Sequence, residues 1–68
     1  MKLRYDAEAD ILILVLDEAP PTDAVEEPDG VILSYGPQGQ LLSIELLEAS
    51  RRGLDRLEGL TVAVVPQD

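Results

Sequence analysis

The sequence contains no cysteine and no histidine, and these two absences exclude whole classes of site. A chain without cysteine forms no disulfide, and a chain without either residue lacks the side chains that most often bind zinc. Histidine is also the usual acid–base residue near neutral pH. Neither a glycine-rich phosphate loop nor a nucleophile paired with a base is visible, so the sequence predicts a protein that is not an enzyme and holds no cofactor.

Length and aromatic content limit the core. The chain has 68 residues, with two tyrosines and no phenylalanine or tryptophan. This is enough for a single domain, over residues 1–68, but so small a chain buries little apolar surface when it folds. Because it also lacks disulfides and cysteine or histidine metal ligands, we expect it to be stabilised by self-association, most simply as a homodimer.

Basic residues are scarce, at five against fourteen acids, and the formal net charge is −9. No basic residue lies between Arg4 and Arg51. The acids in that interval are Asp6, Glu8, Asp10, Asp17, Glu18, Asp23, Glu26, Glu27, Asp29, Glu45 and Glu48. Such a charge repels nucleic acid and anionic membranes and favours a basic protein partner, although charge of this kind also serves solubility alone.

Four of these acids mark a candidate contact segment: Asp23, Glu26, Glu27 and Asp29. They lie in the proline-containing connection from Asp17 to Gly30, which is too polar for a central strand; edge pairing of residues 22–25 is the alternative. We expect an exposed connection that becomes ordered on a small basic protein. Duplex DNA alone is not expected to bind.

The chain carries no signal for a membrane or for export. No apolar segment approaches the ~20 residues of a membrane span. The N-terminal residues 1–4 lead directly into acids instead of into the apolar core of an export signal. We therefore expect a soluble, cytoplasmic protein with no membrane partner.

The longest apolar run is Ile11-Leu12-Ile13-Leu14-Val15-Leu16. A strand with one solvated face alternates apolar and polar residues, so this run predicts a strand that is covered on both faces. A chain this small has little material for two covering layers. We therefore assign a candidate self-association interface to Ile11, Ile13, Leu14 and Val15, together with Glu45.

Alternation and turn residues predict two hairpins. The first joins residues 3–5 to the apolar run, with Asp6 placed to accept hydrogen bonds from backbone amides of the turn. The second joins residues 31–35 to residues 41–47 through the turn at 36–39, where glycine can take a positive φ. Residues 41–47 could instead begin a helix capped by Ser43, but a turn between two apolar runs favours the strand.

A short helix is predicted from about Ser50 to Leu57, where serine is a good N-cap and Gly59 a stop signal. Arg51, Arg52 and Arg56 would form a solvated face of this helix. Residues 61–65 are β-branched and predict a final strand. The predicted fold is therefore α+β, an antiparallel sheet of two hairpins with a short C-terminal helix and a last strand.

Two segments resemble a known family. Tyr5-Asp6-Ala7-Glu8-Ala9-Asp10 and Gly39-Gln40-Leu41-Leu42-Ser43-Ile44-Glu45-Leu46-Leu47-Glu48-Ala49-Ser50 are similar to the opening and closing motifs of the small prokaryotic domain-of-unknown-function family 2283. Ser43 stands where the family usually has Gly, and Gly36-Pro37 replaces its acidic turn residues. The family has no assigned activity, so the resemblance implies the fold and the size of the domain more than its function. Some members of such families are encoded beside small toxin-like proteins, which implies an antitoxin-type role.

The remaining candidate chemistry is acidic. Asp6, Glu8 and Asp10 alternate like the first ligands of a calcium loop, but Ile11 stands where such a loop needs Gly and Asp17 where it needs a long acid, so we expect no metal site. Glu45 would lie among apolar neighbours, and we expect it to be paired with Arg4, Arg51 or Tyr5. The alternative is a carboxylate-based, metal-dependent enzyme using Asp6, Glu8, Asp10 and Glu45.

The sequence therefore favours a non-catalytic, self-associating interaction module over such an enzyme. Its most specific version is an antitoxin-like binder of a small basic protein.

Overall fold

The computed structural model describes residues 1–54, which form one antiparallel sheet of five strands and a single 3-10 turn. The elements are β1 (Lys2–Asp6), β2 (Ile11–Val15), β3 (Asp23–Glu27), β4 (Val31–Tyr35), β5 (Leu41–Leu47) and the 3-10 turn Ala49–Arg52. The strand order across the sheet is β1-β2-β5-β4-β3. The central strand, β5, is therefore the last of the five along the chain.

Both predicted hairpins are confirmed, β1 with β2 and β4 with β5. In the first turn, Asp6 Oδ1 accepts hydrogen bonds from the backbone N–H groups of Glu8 and Ala9, each at 3.1 Å, as expected for an aspartate that begins a turn. In the second turn, Gly39 has φ 78° and donates its N–H to the carbonyl of Gly36 at 3.0 Å. Residues 41–47 are a strand, and no helix begins at Ser43.

A third hairpin, β3 with β4, lies where we predicted an irregular connection. Asp29 and Gly30 both have positive φ, at 67° and 74°, and the Asp-Gly pair is a strong short-range signal for a hairpin turn. Every residue of β3 is exposed, because it is an edge strand with only one neighbour. The prediction that the connection from Asp17 to Gly30 forms no central strand is confirmed, and so is the alternative of edge pairing at residues 22–25, since β3 is an ordered edge strand.

The α+β prediction is wrong. The described residues hold five strands and no α-helix, and the predicted helix from Ser50 is represented there by the 3-10 turn alone. This turn is fixed by long-range contacts, since the N–H of Ala49 is bound to the Asp10 carbonyl at 3.0 Å. It ends at Gly53, whose N–H bonds to the Ser50 carbonyl at 3.1 Å. The later part of the predicted helix and the strand at 61–65 lie outside the described residues.

The strand register gives the sheet two different faces, because residues paired across antiparallel strands point to the same side. One face, here called the apolar face, carries two rows that cross all five strands: Leu3, Leu14, Ile44, Leu33 and Val25, and Tyr5, Leu12, Leu46, Val31 and Glu27. The other, the mixed face, carries Arg4, Ile13, Glu45, Ile32 and Glu26, and Lys2, Val15, Ser43, Ser34 and Ala24.

The core of the described residues is thin. The buried hydrophobic side chains are Leu12, Val15, Leu42 and Ala49, and most others in the strands are only half-buried. Leu12 and Val15 lie on opposite faces of β2, so each face of the sheet buries little. At the edges of the apolar face, Leu3 and Val25 are each 39% exposed. A single sheet layer covers neither of its own faces, and residues 1–54 contain no second sheet or α-helix to pack on the apolar face.

Candidate functional site

A hydrogen-bonded cluster joins the first turn of the sheet to the 3-10 turn, forty residues later. The Asp10 carboxylate accepts hydrogen bonds from the Tyr5 hydroxyl at 2.7 Å, the Ser50 hydroxyl at 2.6 Å and the Ser50 backbone N–H at 3.0 Å. The 3-10 turn has no cap from its own preceding side chain, Glu48, so Asp10 satisfies its first donors from a distance. We call this cluster of Tyr5, Asp10 and Ser50 the clasp.

Arg52 attaches the same 3-10 turn to the other side of the sheet. Its guanidinium donates to the Asp29 carbonyl in the β3–β4 turn and, through Nε, to the Leu47 carbonyl at 2.9 Å. The N–H of Leu47 in turn bonds to the carbonyl of Gly30 at 2.8 Å. Arg52 is therefore a structural link to a hairpin, whereas Arg51 pairs at the surface with Glu48 at 3.1 Å. Arg56 lies outside the described residues.

The clasp shifts the acid–base behaviour of Asp10. Hydrogen bonds from the Ser50 hydroxyl and, next, the Tyr5 hydroxyl hold the pKa of the Asp10 carboxyl below its usual value. Desolvation opposes them with a smaller effect, and the hydrogen bond from the Ser50 backbone adds a still smaller lowering of this pKa. The carboxylate is therefore ionised and accepts three hydrogen bonds at neutral pH. A carboxylate in this state accepts hydrogen bonds well and donates protons poorly. The clasp is therefore suited to a structural role and not to acid–base chemistry.

The four acids predicted to contact a basic partner share one edge of the sheet. Asp23, Glu26 and Glu27 lie on β3, and Asp29 lies in the turn that follows; all four are exposed. Their side chains do not all face the same way, since Asp23 and Glu27 point to the apolar face and Glu26 to the mixed face. Asp23 Oδ1 also accepts a hydrogen bond from the N–H of Ala24 at 2.9 Å. They form an acidic rim around the edge strand.

The five residues assigned to a self-association interface are divided between the two faces. Leu14 lies in the middle of the apolar face, whereas Ile11, Ile13, Val15 and Glu45 point to the mixed face. One flat interface therefore includes Leu14 without the other four. The register of β2 against β5 decides which face each of these residues occupies. The unbroken apolar run does not specify that register.

The acids of the alternative enzyme hypothesis are dispersed. Asp6 caps turn amides, Asp10 belongs to the clasp, and Glu45 lies in the sheet on β5. No group of three or more acidic side chains among residues 1–54 is placed to hold a metal ion.

Glu45 and Arg4 lie in the same row of the mixed face, one on each side of Ile13. The expected ion pair with Arg4 or Arg51 is not formed, since the ion pairs of the described residues are Lys2–Glu18 and Arg51–Glu48. Tyr5 lies in a row of the opposite face of the sheet. Arg4 and Glu45 instead line the same open cavity of about 230 Å³, together with Ile13, Val15 and Ser43. Sequence reasoning identified Glu45 as an unusual acid but did not identify this cavity.

None of the helical structure in residues 1–54 is long and apolar enough to cross a membrane.

Comparison with known proteins shows the family of this chain. No curated protein and no solved structure matches the chain. A family model described as "Protein of unknown function (DUF2283)" matches residues 2–50, which include Tyr5 and Asp10 at one end and Ser50 at the other. The two motifs singled out in the sequence are thus the two halves of the clasp, brought together by the pairing of β2 with β5. With most of its length matched, this chain belongs to the DUF2283 family.

Proposed function

We propose that this protein is a non-catalytic interaction module that associates with a second copy of itself through the apolar face. The observation that carries the proposal is the row Leu3, Leu14, Ile44, Leu33 and Val25, which crosses all five strands without a polar residue. A sheet face of this kind requires a covering layer, and residues 1–54 contain no second layer to provide it. A contiguous apolar patch on this scale is typical of an interaction surface.

The distribution of charge supports pairing of two identical faces. The charged residue of the two rows, Glu27, and its neighbour Asp23 both lie on the edge strand β3. The apolar face therefore has an uncharged centre and a charged rim along that edge. A second copy offers the same apolar centre, so two faces related by a two-fold axis cover each other. Because both copies are acidic, added salt weakens their mutual repulsion and strengthens this association.

The test uses two neighbouring residues on the exposed edge strand. Val25 points to the apolar face and Ala24 to the mixed face. Val25→Asp places a charge in the contact and is expected to dissociate the dimer, whereas Ala24→Asp adds the same charge to the other side and leaves the dimer intact. Analytical ultracentrifugation across the micromolar range measures the fraction of dimer in the wild-type protein and in both variants. A monomeric wild-type protein, or equal behaviour of the two variants, would contradict the proposal.

A small basic protein is a second candidate partner, and the acidic rim on β3 supports it. An edge strand presents unpaired backbone groups to which a further strand can add, and basic side chains on that strand would match Asp23, Glu26, Glu27 and Asp29. The competing explanation is that these acids keep the edge from pairing with other edges. A variant in which all four acids of the rim are changed to Asn or Gln distinguishes partner binding from protection of the edge.

The experiment co-expresses the chain with the product of the adjacent reading frame and measures co-purification at low and high salt. A basic partner bound through the rim is lost in high salt and lost with the four-fold variant, mainly through slower association. If the rim only protects the edge, co-purification is unchanged and light scattering instead detects more aggregation of the variant. Salt thus acts in opposite directions on the two proposed associations.

A further inference from the structure

The mixed face carries a groove that neither proposed association uses. The chain that leaves β2 folds along this face, and its residues Ala19 and Pro21 form one wall of the 230 Å³ cavity. Ile13 and Val15 line the cavity together with the hydroxyl-bearing Ser43. The cavity therefore combines apolar, hydroxyl and charged groups within one small opening.

Two opposite charges are held apart across this groove. Arg4 on β1 and Glu45 on β5 are separated by one intervening strand, so their backbones lie about 10 Å apart, which is two strand spacings. The apolar side chain of Ile13 fills the position between them. Within residues 1–54 neither charge is in an ion pair. Lys2, through a hydrogen bond and its charge, is the main cause that lowers the pKa of Glu18, and the charge of Arg4 contributes less to the same lowering.

This arrangement has a direct chemical complement. A ligand with a single charge would match one end of the groove and leave the other charge without a partner. A ligand with an ammonium group at one end, a carboxylate at the other and methylene groups between them matches both ends and the apolar surface together. The charge-assisted hydrogen bonds at the two ends would be the strong contacts, and the methylene chain would cover Ile13 and Val15.

We propose that this groove binds an aliphatic ω-amino acid, with the ligand ammonium on Glu45 and Ser43 and the ligand carboxylate on Arg4. Asp17 also lines the cavity, but its Oδ1 already accepts a hydrogen bond from the N–H of Ala19 at 3.0 Å. Glu45 is the anion that lies in the same row as Arg4 and Ile13, at the opposite end from Arg4, so we assign the ligand ammonium to it. The site is on the face opposite the apolar face, so binding is independent of self-association.

The experiment follows backbone amide NMR resonances of the full chain during titration with ε-aminocaproate. Saturable shifts are expected at residues of the groove. Glu45→Gln and Arg4→Gln are each expected to weaken binding roughly tenfold, the effect of losing one charge-assisted hydrogen bond. Glu26→Gln is the matched control, because Glu26 lies in the same row on β3, outside the groove, and this variant is expected to bind as the wild type does.

Two analogues test the need for both charges. Hexanoate lacks the ammonium group and pentylamine lacks the carboxylate, and each is expected to bind at least tenfold more weakly than ε-aminocaproate. Binding of either analogue as tightly as the amino acid would overturn the proposal. So would an absence of saturable shifts up to about 10 mM ligand, beyond the millimolar limit of weak specific binding, or equal weakening by Glu26→Gln.

Discussion

Asp10 joins the first turn of the sheet to the 3-10 turn, through the clasp and through its backbone carbonyl. It also has φ 58°, a left-handed conformation that aspartate and asparagine tolerate better than most residues do. Its role depends on both properties, since the backbone turns the chain into β2 while the carboxylate receives Tyr5 and Ser50. An asparagine at this position keeps the turn and removes the charge, which makes it an informative substitution.

Asp10→Asn is expected to reduce the dependence of stability on acid pH. The pKa of Asp10 is lower in the folded than in the unfolded chain, so its contribution is fully present above the unfolded pKa and is lost as pH falls through the folded value. Urea unfolding at a series of pH values below about pH 5 measures this loss. Ser50→Ala removes the largest cause of the shift and is expected to reduce the same dependence in part. A wild-type dependence retained in Asp10→Asn would contradict the assignment.

Residue-level prediction from the sequence succeeded for local contacts and failed for distant ones. The role of Asp6 follows from its place in a turn of a few residues, and the structure confirms it. The contacts of Asp10 with Ser50 and of Arg52 with Asp29 depend on how distant strands are paired, which a residue's neighbours in sequence do not specify. The family resemblance joined Asp10 and Ser50 in one pattern without indicating that they touch.

Among the secondary-structure elements, the 3-10 turn shows why the predicted helix failed. Its four residues occupy the position where both outer hairpins meet the end of β5, and long-range hydrogen bonds from Ser50 and Arg52 fix its geometry. Helix propensity and capping signals describe an isolated segment and do not include such contacts. For β3, the Asp29-Gly30 pair was an available signal, but the prolines and acids around it favoured a loop.

Gly30 and Gly39 provide a matched test of packing at the 3-10 turn. Both have positive φ, so replacement by alanine costs each about 1–2 kcal/mol in backbone strain. A Cβ on Gly30 would also lie 3.2 Å from Leu47 Cβ and 3.3 Å from Arg52 Nη2, whereas nothing lies within 4 Å at Gly39. Gly30→Ala is therefore expected to cost about 1 kcal/mol or more beyond Gly39→Ala in urea unfolding. Equal losses would indicate that Arg52 moves aside freely.

Over the whole molecule, the proposed dimer makes stability depend on concentration. If two copies cover each other's apolar face, the thermal midpoint of unfolding rises with protein concentration, because unfolding is coupled to dissociation. Leu14→Asp places a charge at the centre of this face and is expected to cost about 3–5 kcal/mol, the range for an uncompensated buried charge. Calorimetry over a wide concentration range measures the first effect. A midpoint that does not move with concentration would oppose self-association.

The strand order has a consequence for how the chain folds during synthesis. The central strand β5 is made after the other four, so β1–β2 and β3–β4 exist as separate hairpins until residues 41–47 are available to join them. Two-stranded hairpins are at best marginally stable in water, and the segment between β2 and β5, which contains β3 and β4, must bring β5 back to β2 before their contacts form. The nascent chain therefore exposes Ile11–Val15 throughout this period, and insertion of β5 completes the sheet in one late, cooperative step.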